Sequence, residues 1–315
     1  MIRRAFLQSL GLATAAFSQI ALPEALHAES NTSSMMPLKH KPTPDLWRND
    51  TVTAAWIGHS TILINMFGTV ILTDPVFSRK IGIRFLGATI GVERMTSTAL
   101  MLEEIPKPEI VLLSHAHMDH CDYPTLAALT EQYPGTIDAI CAYNTADVID
   151  DLQWKSLTTL DWNNTYELHG IMCTAMEVLH FGWRYPWEDD RRRGQMKRGR
   201  SYNAYMLEKN GKTVVFGGDM AMHPHFKKYS SKSVDLAFMP IGAYDPWVQN
   251  HCNPEEAIAM AQHFNAKAVA PMHCMTFKQS NEPFSEPILR FLAEAERTGI
   301  IPAWKFIGET YTVES

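Results

Sequence analysis

The chain is short of cysteine: five among 315 residues, an odd number, which excludes a fold held together by a disulfide framework. It has no long apolar run. The longest, residues 10–22, covers about 13 positions, below the roughly 20 that a membrane-spanning helix needs. It has no excess of positive charge either. Lys and Arg total 28 against 34 Asp and Glu, a net charge of −6, so no overall basic field is available to bind nucleic acid. Apolar residues at 46% and charged residues at 20% exclude a disordered, collagen-like or coiled-coil chain. The length admits two domains or one large enzyme domain. What the chain does hold in quantity is histidine, thirteen residues of the commonest metal-ligand type.

The first residues read as an address. Arg3 and Arg4 precede Ala5, Phe6 and Leu7, then the Ala-rich apolar run, then small residues around Ala25 and Ala28. This is the layout of a secretory signal, and the paired arginines resemble the twin-arginine export signal of bacteria. The expectation is a periplasmic protein exported already folded, with residues 1–28 as the signal. The alternatives are an uncleaved signal that anchors the chain to the membrane and an amphipathic helix on the body. Residues 29–50, polar and bearing Pro37, Pro42 and Pro44, read as an arm or linker. Residues 51–315 read as one domain.

Within that domain short β-rich segments fall at 51–57, 61–66, 69–73, 110–113, 171–179, 202–207, 212–216, 234–239 and 267–270, with a closing strand at 304–313. Phe67-Gly68 and Asn210-Gly211 mark tight turns. Helices are expected at 125–132, 144–153, 254–264 and 287–298. The third has a strong start: Asn253 as cap, Pro254 in the first turn and Glu256 three residues after the cap. Two stretches of clustered strands, each followed by helices, predict a mixed α/β (α+β) domain of two packed sheets with helices outside.

The strongest local signal is Ser114-His115-Ala116-His117-Met118-Asp119-His120, four donor side chains directly after a short apolar strand. Alternation places His115 and His117 on one side of an extended segment. Imidazole with carboxylate favours zinc or a similar borderline metal over calcium or magnesium. Four ligands exceed one site with an open position, so two metals are expected. His180, Asp219 and His273 each lie just past a predicted strand end, as His115 does. Gly217-Gly218 ahead of Asp219 permits close backbone approach. A solvated His-rich loop is the plain alternative.

This pattern resembles the metallo-β-lactamase superfamily, and within it the branch of N-acyl-phosphatidylethanolamine-hydrolysing phospholipase D and its bacterial relatives. The segments that carry the likeness are Trp56-Ile57-Gly58-His59-Ser60-Thr61, Leu72-Thr73-Asp74-Pro75-Val76-Phe77-Ser78, residues 114–122, Gly217-Gly218-Asp219, Pro240-Ile241-Gly242-Ala243-Tyr244, His251-Cys252-Asn253-Pro254-Glu255-Glu256-Ala257, Pro271-Met272-His273 with Thr276-Phe277, and Gly308-Glu309-Thr310. The resemblance implies a four-layer αββα sandwich and a binuclear site holding two divalent ions, zinc first, with manganese or iron as substitutes. His115, His117 and His180 would hold one metal, Asp119, His120 and His273 the other, and Asp219 would bridge them. A metal-bridging hydroxide would be the nucleophile. Asp119 and His251 are the catalytic candidates; His251 would bind phosphate or protonate a leaving group, or merely precede the capped helix. His59 and Tyr244 would support the site. Met220 and Cys274 depart from residues common in the family. Cys121, Cys252 and Cys274, each following a site histidine, read as small buried hydrophobes.

Residues 181–200 carry seven cationic and three anionic side chains, a local +4 in an acidic chain. Directly after His180, they are expected to border the pocket. Arg184, Arg191, Arg192 and Arg193 would hold a phosphate or lipid headgroup, and Trp183 and Trp187 an apolar wall; a solvated loop is the alternative. The activity implied is a phosphodiesterase of the phospholipase D type on an anionic small molecule or phospholipid, with peripheral membrane contact and no nucleic acid. A lactonase or other carbonyl-ester hydrolase, similar to ascorbate-6-phosphate lactonase, is the alternative. A non-hydrolytic iron oxidase on the same fold is less favoured, since those enzymes carry Glu where this chain has His117.

Overall fold

Apolar β-branched runs build most of the strands, and the computed structural model describes residues 35–314 apart from 86 and 87. The expected signal lies outside the described residues. β1 (Val52–Gly58), β2 (Thr61–Met66) and β3 (Thr69–Thr73) form an antiparallel meander. A hairpin of β4 (Lys80–Phe85) and β5 (Ala88–Glu93) then leaves the sheet. β6 (Ile110–Leu113) is followed by α1 (Tyr123–Gln132), β7 (Asp138–Ala142) and β8 (Ser156–Leu160), and these strands extend the first sheet in parallel.

The second sheet opens antiparallel with β9 (Thr165–Leu168), β10 (Ile171–Glu177), β11 (Asn203–Lys209) and β12 (Lys212–Phe216). It continues in parallel through β13 (Leu236–Pro240), α2 (Pro254–Gln262), β14 (Ala268–Met272), α3 (Glu286–Thr298) and β15 (Ile301–Pro302). β16 (Thr310–Thr312) returns to pair with β1. The orders are β16-β1-β2-β3-β6-β7-β8 and β15-β14-β13-β12-β11-β10-β9. This is the expected αββα sandwich. No helix among the described residues is long and apolar enough to cross a membrane.

The core lies between the sheets. Trp56 of β1 stacks on Trp304 at 6.3 Å, and Trp304 on Phe238 of β13 at 5.6 Å. Tyr205 of β11 is fully buried and donates its hydroxyl to the Leu113 carbonyl of β6, 3.0 Å away, tying one sheet to the other. α2 is capped as its sequence predicts: Asn253 Oδ1 accepts from the Glu256 N–H at 2.9 Å and Glu256 Oε2 accepts from the Asn253 N–H at 3.0 Å.

Two expected elements differ. The helix over 144–153 reduces to a single 3-10 turn, Ala146–Val148. Asn144 enters at φ +60° and its amide donates to the carbonyls of residues 197–199 instead of capping. The single strand over 304–313 is broken at Gly308, φ +94°, where the chain runs so close to the His40 carbonyl that a Cβ would lie 2.1 Å from its oxygen. Hairpin β4–β5 and strands β7, β8 and β9 are not foreseen by the sequence pattern, being short and, β7 apart, rich in polar residues or glycine.

Gly218, between β12 and Asp219, lies against Ser114 at the end of β6 in the facing sheet. It has φ +61°, and a Cβ there would lie 2.7 Å from Ser114 Cβ and 2.8 Å from the Asn203 carbonyl oxygen. A left-handed backbone costs an L-residue about 1–2 kcal/mol, and overpacking adds about 1–3 kcal/mol. Gly218→Ala is therefore expected to lower stability by at least about 2 kcal/mol, read as a shift in the urea midpoint. A shift below about 0.5 kcal/mol would mean that the sheets are not held this close.

Candidate metal centre

β1, β3 and β6 run in one sense, because β2 is antiparallel to its neighbours and β6 is parallel to β3. In the second sheet β10, β12, β13 and β14 likewise share one direction. The C-terminal ends of these strands deliver His59, Asp74, residues 115–120, His180, Asp219, His251 and His273 to one edge of the sandwich. Several turn sharply there: His59 at φ +52°, Asp74 at +33° and His273 at +60°. Left-handed backbone at three non-glycine residues is strain gathered at one place, the mark of a functional edge.

Two sets of donor atoms converge. His115 Nε2 and His117 Nδ1 are 2.7 Å apart, and His180 Nε2 is 3.3 Å from His117 Nδ1. Asp119 Oδ2 is 3.5 Å from His120 Nε2 and 3.4 Å from His273 Nε2. Asp219 Oδ2 stands between the sets, 3.1 Å from both His120 Nε2 and His273 Nε2 and 4.0 Å from both His115 Nε2 and His180 Nε2. In each of two groups, one of His115, His117, His180 and Asp219 and one of His59, Asp119, His120 and His273, the donor atoms all lie within 4.8 Å of one another. All seven residues expected as ligands are thus brought together. His251 Nδ1 lies 3.7 Å from Asp219 Oδ2.

Hydrogen bonds hold the outer ring nitrogens of three of these imidazoles. Ser114 Oγ gives its one hydrogen to Asp74 at 2.5 Å and so accepts from His115 Nδ1 at 2.9 Å. His120 Nδ1 donates to Asp74 Oδ2 at 2.7 Å, and His180 Nδ1 to the Asn250 carbonyl at 2.8 Å. Each leaves an Nε2 lone pair aimed inward, which is how metal-binding histidines are held. His120 Nε2 and Asp219 Oδ1 are buried without a hydrogen-bond partner. Orphaned buried donor atoms of this kind call for a cation. The imidazole and carboxylate set fits one.

Burial sets the electrostatics. It drives the imidazoles of His115 and His180 well below their ordinary range and His117 down to about 4. It also opposes protonation of His120 and His273, but there Asp219 and Asp119 outweigh it and carry both upward, His273 to about 9. Burial would raise Asp119 and Asp219, yet the imidazoles, His120 foremost, hold both carboxyls well below the usual range. The pocket therefore keeps two ionised carboxylates among mostly neutral imidazoles and draws positive charge to where the carboxylates meet.

The remaining candidates separate. His59 Nε2 is 3.1 Å from Asp119 Oδ2, and Gln279 Nε2 donates to the same oxygen at 2.7 Å. Arg192 and Arg193 line a cleft of about 610 Å³ over the centre, with His117, Asp119, Asp219, His251, Phe181, Trp183 and Trp247 among its walls. Arg191 does not reach it: the side chain is buried and paired with Asp161 at 2.6 and 3.0 Å. Arg184 braces the metal loop instead, donating to the carbonyls of Ala116 at 2.6 Å and Cys121 at 3.0 Å. Tyr244 donates to Glu286 at 2.9 Å and is not among the cleft residues. Trp187 stands exposed, stacked on Tyr185. The three cysteines beside site histidines are buried, and burial pushes the Cys121 thiol up to about 11. Asp74, Gln279 and the Asn250 carbonyl carry no role in the sequence reading. Asp74 lies just past a strand end, the rule that finds His115; Gln279 and Asn250 have no such signal.

Residues 69–274 match the family model of the β-lactamase superfamily domain. An uncharacterised protein of Mycobacterium tuberculosis is 27% identical over 281 residues, covering 86% of this chain and 71% of the relative. The mitochondrial N-acyl-phosphatidylethanolamine-hydrolysing phospholipase D of Saccharomyces cerevisiae is 29% identical over 255 residues, 76% of this chain but only 51% of the yeast protein. A metallo hydrolase of the archaeon Ignicoccus hospitalis shares the fold with a TM-score of 0.60 at 18% identity, covering 84% of this chain and 99% of that one.

Asp74→Asn replaces an oxygen that accepts from both Ser114 and His120. It is expected to weaken divalent-metal affinity about 10- to 100-fold with the fold retained, measured by competition against a chromophoric chelator. Unchanged affinity would make Asp74 a packing residue only.

Proposed function

The chain belongs to the β-lactamase superfamily, and from that premise we propose that this metal-dependent hydrolase is a binuclear phosphodiesterase acting on anionic diesters, with phospholipids of the N-acyl-phosphatidylethanolamine class among them. One observation carries the reading. The cleft above Asp119 and Asp219 pairs two cations, Arg192 and Arg193, with an aromatic wall of Phe181, Trp183 and Trp247. That lining suits a substrate with a charged phosphate and an apolar substituent. Likeness to the yeast phospholipase D supports it.

Divalent cations, zinc first for this donor set, would be held by His115, His117 and His180 on one side and Asp119, His120 and His273 on the other with Asp219 between, supplying Lewis acidity and lowering the pKa of bound water to about 7. The chain's own groups do the rest. Asp119 is oriented by His59 and Gln279. His251 faces the cleft with its Nδ1 unpartnered, and burial pushes it down to about 4, so its neutral ring can donate one N–H to a substrate oxygen or take up a proton. Arg192 is anchored by Asn250, whose carbonyl also holds His180, so substrate binding and ligand orientation share one residue. The aromatic wall limits water around the reacting group. We assign residues 1–28 to export, which would place the enzyme in the periplasm or, uncleaved, at the membrane.

Metal analysis of the purified chain should give close to two divalent ions per chain; one or none would sink the binuclear reading. Wild type should hydrolyse bis-p-nitrophenyl phosphate, and Asp119→Asn should lose at least about 100-fold in kcat. Activity on lactones with none on phosphodiesters would establish the carbonyl hydrolase instead. Arg192→Gln with Arg193→Gln should raise KM for anionic diesters about 10-fold or more while sparing neutral esters. An equal effect on both substrates would remove the arginines from phosphate recognition.

A further inference from the structure

The hydrolase reading leaves hairpin β4–β5 unused. Its register pairs Ile81 with Val92, Ile83 with Ile90 and Phe85 with Ala88, and between them Lys80 with Glu93, Gly82 with Gly91 and Arg84 with Thr89. Cross-strand partners share a face, so the first three pairs form one wholly apolar face and the others a polar one. The apolar face divides along its length. Ile81 and Val92 pack with Val76 and Phe277. Further out, Ile83, Phe85 and Ile90 are 46%, 63% and 68% exposed.

The base is held firmly. Arg94, just after β5, donates to the carbonyls of Val76 at 2.6 Å and Ser78 at 3.2 Å and lies over the Phe277 ring at 4.8 Å. At the Gly82–Gly91 pair the strands approach so closely that a Cβ on either would lie 2.2 or 2.0 Å from a facing carbonyl oxygen. The hairpin therefore leaves the body with a fixed base and an apolar outer half. Charge accompanies it. Arg79 and Lys80 are exposed at the base beside Glu93, which pairs with Lys80 at 2.8 Å, and Arg84 is exposed further out on the polar face, where it also borders a cavity with Tyr123 and Asp147; Arg79 and Arg84 form no ion pair among the described residues.

An all-apolar strand face turned to water is a liability that proteins normally blunt. A partner that is apolar inside and anionic outside answers both features. We propose that the outer half of the hairpin is a membrane-contact element: Ile83, Phe85 and Ile90 enter the interfacial layer of an anionic bilayer while Arg79 and Arg84 meet the lipid phosphates. At ~3.3 Å per residue the stretch from Ile83 to Phe85 reaches ~7 Å, within the ~5–10 Å that interfacial elements penetrate. A second copy fits less well, since a stable interface buries ~1,200–2,000 Å² and three side chains on a narrow finger supply a fraction of that. The proposal stands apart from the choice of phosphodiester or lactone as substrate.

The test places an environment-sensitive fluorophore at Ala88→Cys in the full chain; the five native cysteines are buried and stay unlabelled in the folded protein. Vesicles rich in phosphatidylglycerol should shift the dye to the blue, and phosphatidylcholine vesicles should do so only weakly. Arg79→Gln and Arg84→Gln should each raise the lipid concentration at half-shift about fivefold, and Phe85→Asp with Ile90→Asp should abolish the shift with thermal stability and soluble-substrate turnover unchanged. The same dye at Glu296→Cys on α3 should not respond. A dye at residue 88 that stays in water while the chain sediments with vesicles would overturn the proposal. So would a shift that needs no vesicles and grows with protein concentration, which would place a second copy on this face.

Discussion

One carboxylate oxygen organises this end of the molecule. Asp219 Oδ2 stands 3.1 Å from two imidazole nitrogens and 4.0 Å from two others, on a side chain that is almost fully buried at the floor of the cleft. An ionised carboxylate in such surroundings is costly unless positive charge is shared around it. The imidazoles must therefore present lone pairs inward without competing for protons among themselves. That demand moves outward by one hydrogen bond: Ser114, Asp74 and the Asn250 carbonyl each hold an outer nitrogen so that the inner one is free. The position of Asp74, buried and accepting three hydrogen bonds from Ser114 and His120, is a consequence of what Asp219 requires.

The sandwich meets this demand by strand direction. Seven of the strands that run toward one edge, from both sheets, lead into these residues, so positions far apart in the chain arrive together. The sheets must also come close enough for the two donor sets to meet. Gly218 removes the side chain that would hold them apart. The His59 carbonyl then accepts from Trp56 Nε1 at 2.8 Å and from the His273 N–H at 3.1 Å, joining a turn of the first sheet to a candidate ligand of the second. Core packing and ligand placement are in this respect one structure: Trp56 stacks in the core and aims the turn that carries His59.

Much of this was legible in the sequence, for identifiable reasons. The donor residues stand just past strand ends, and strands of continuous Val, Ile and Leu are easy to find. The cap of α2 is local chemistry among Asn253, Pro254 and Glu256, and local chemistry reads directly. The failures are non-local. Asn144 resembles a helix start, but tertiary contacts with residues 197–199 claim its amide. Gly308 resembles an interior strand residue until His40 is laid against it. Hairpin β4–β5 reads poorly because a glycine interrupts each of its strands and mimics a loop. Gln279 meets Asp119 across the fold and leaves no trace in the sequence near either residue.

The arginine run shows where composition misleads. Residues 181–200 carry a local +4, which as a count suggests four charges for an anionic substrate. Three adjacent arginines instead divide between two fates, because the 3-10 turn Arg191–Arg193 turns the first side chain away from the other two. Arg191 turns inward to Asp161, and Arg200 is consumed by Asp147 and Glu188. Arg184 spends its charge on the carbonyls of the metal loop. Arg192 and Arg193 alone of the run face the cleft, against Asp190 in the same lining. The field a substrate meets is therefore set by two cations and the metal centre, and the aromatic wall must supply the rest of the binding. On the proposed phosphodiesterase reading, a site with so few fixed charges would discriminate by the apolar part of its substrate as much as by a phosphate, and the walls of the cleft, more than the metal ligands, would decide what this hydrolase acts on.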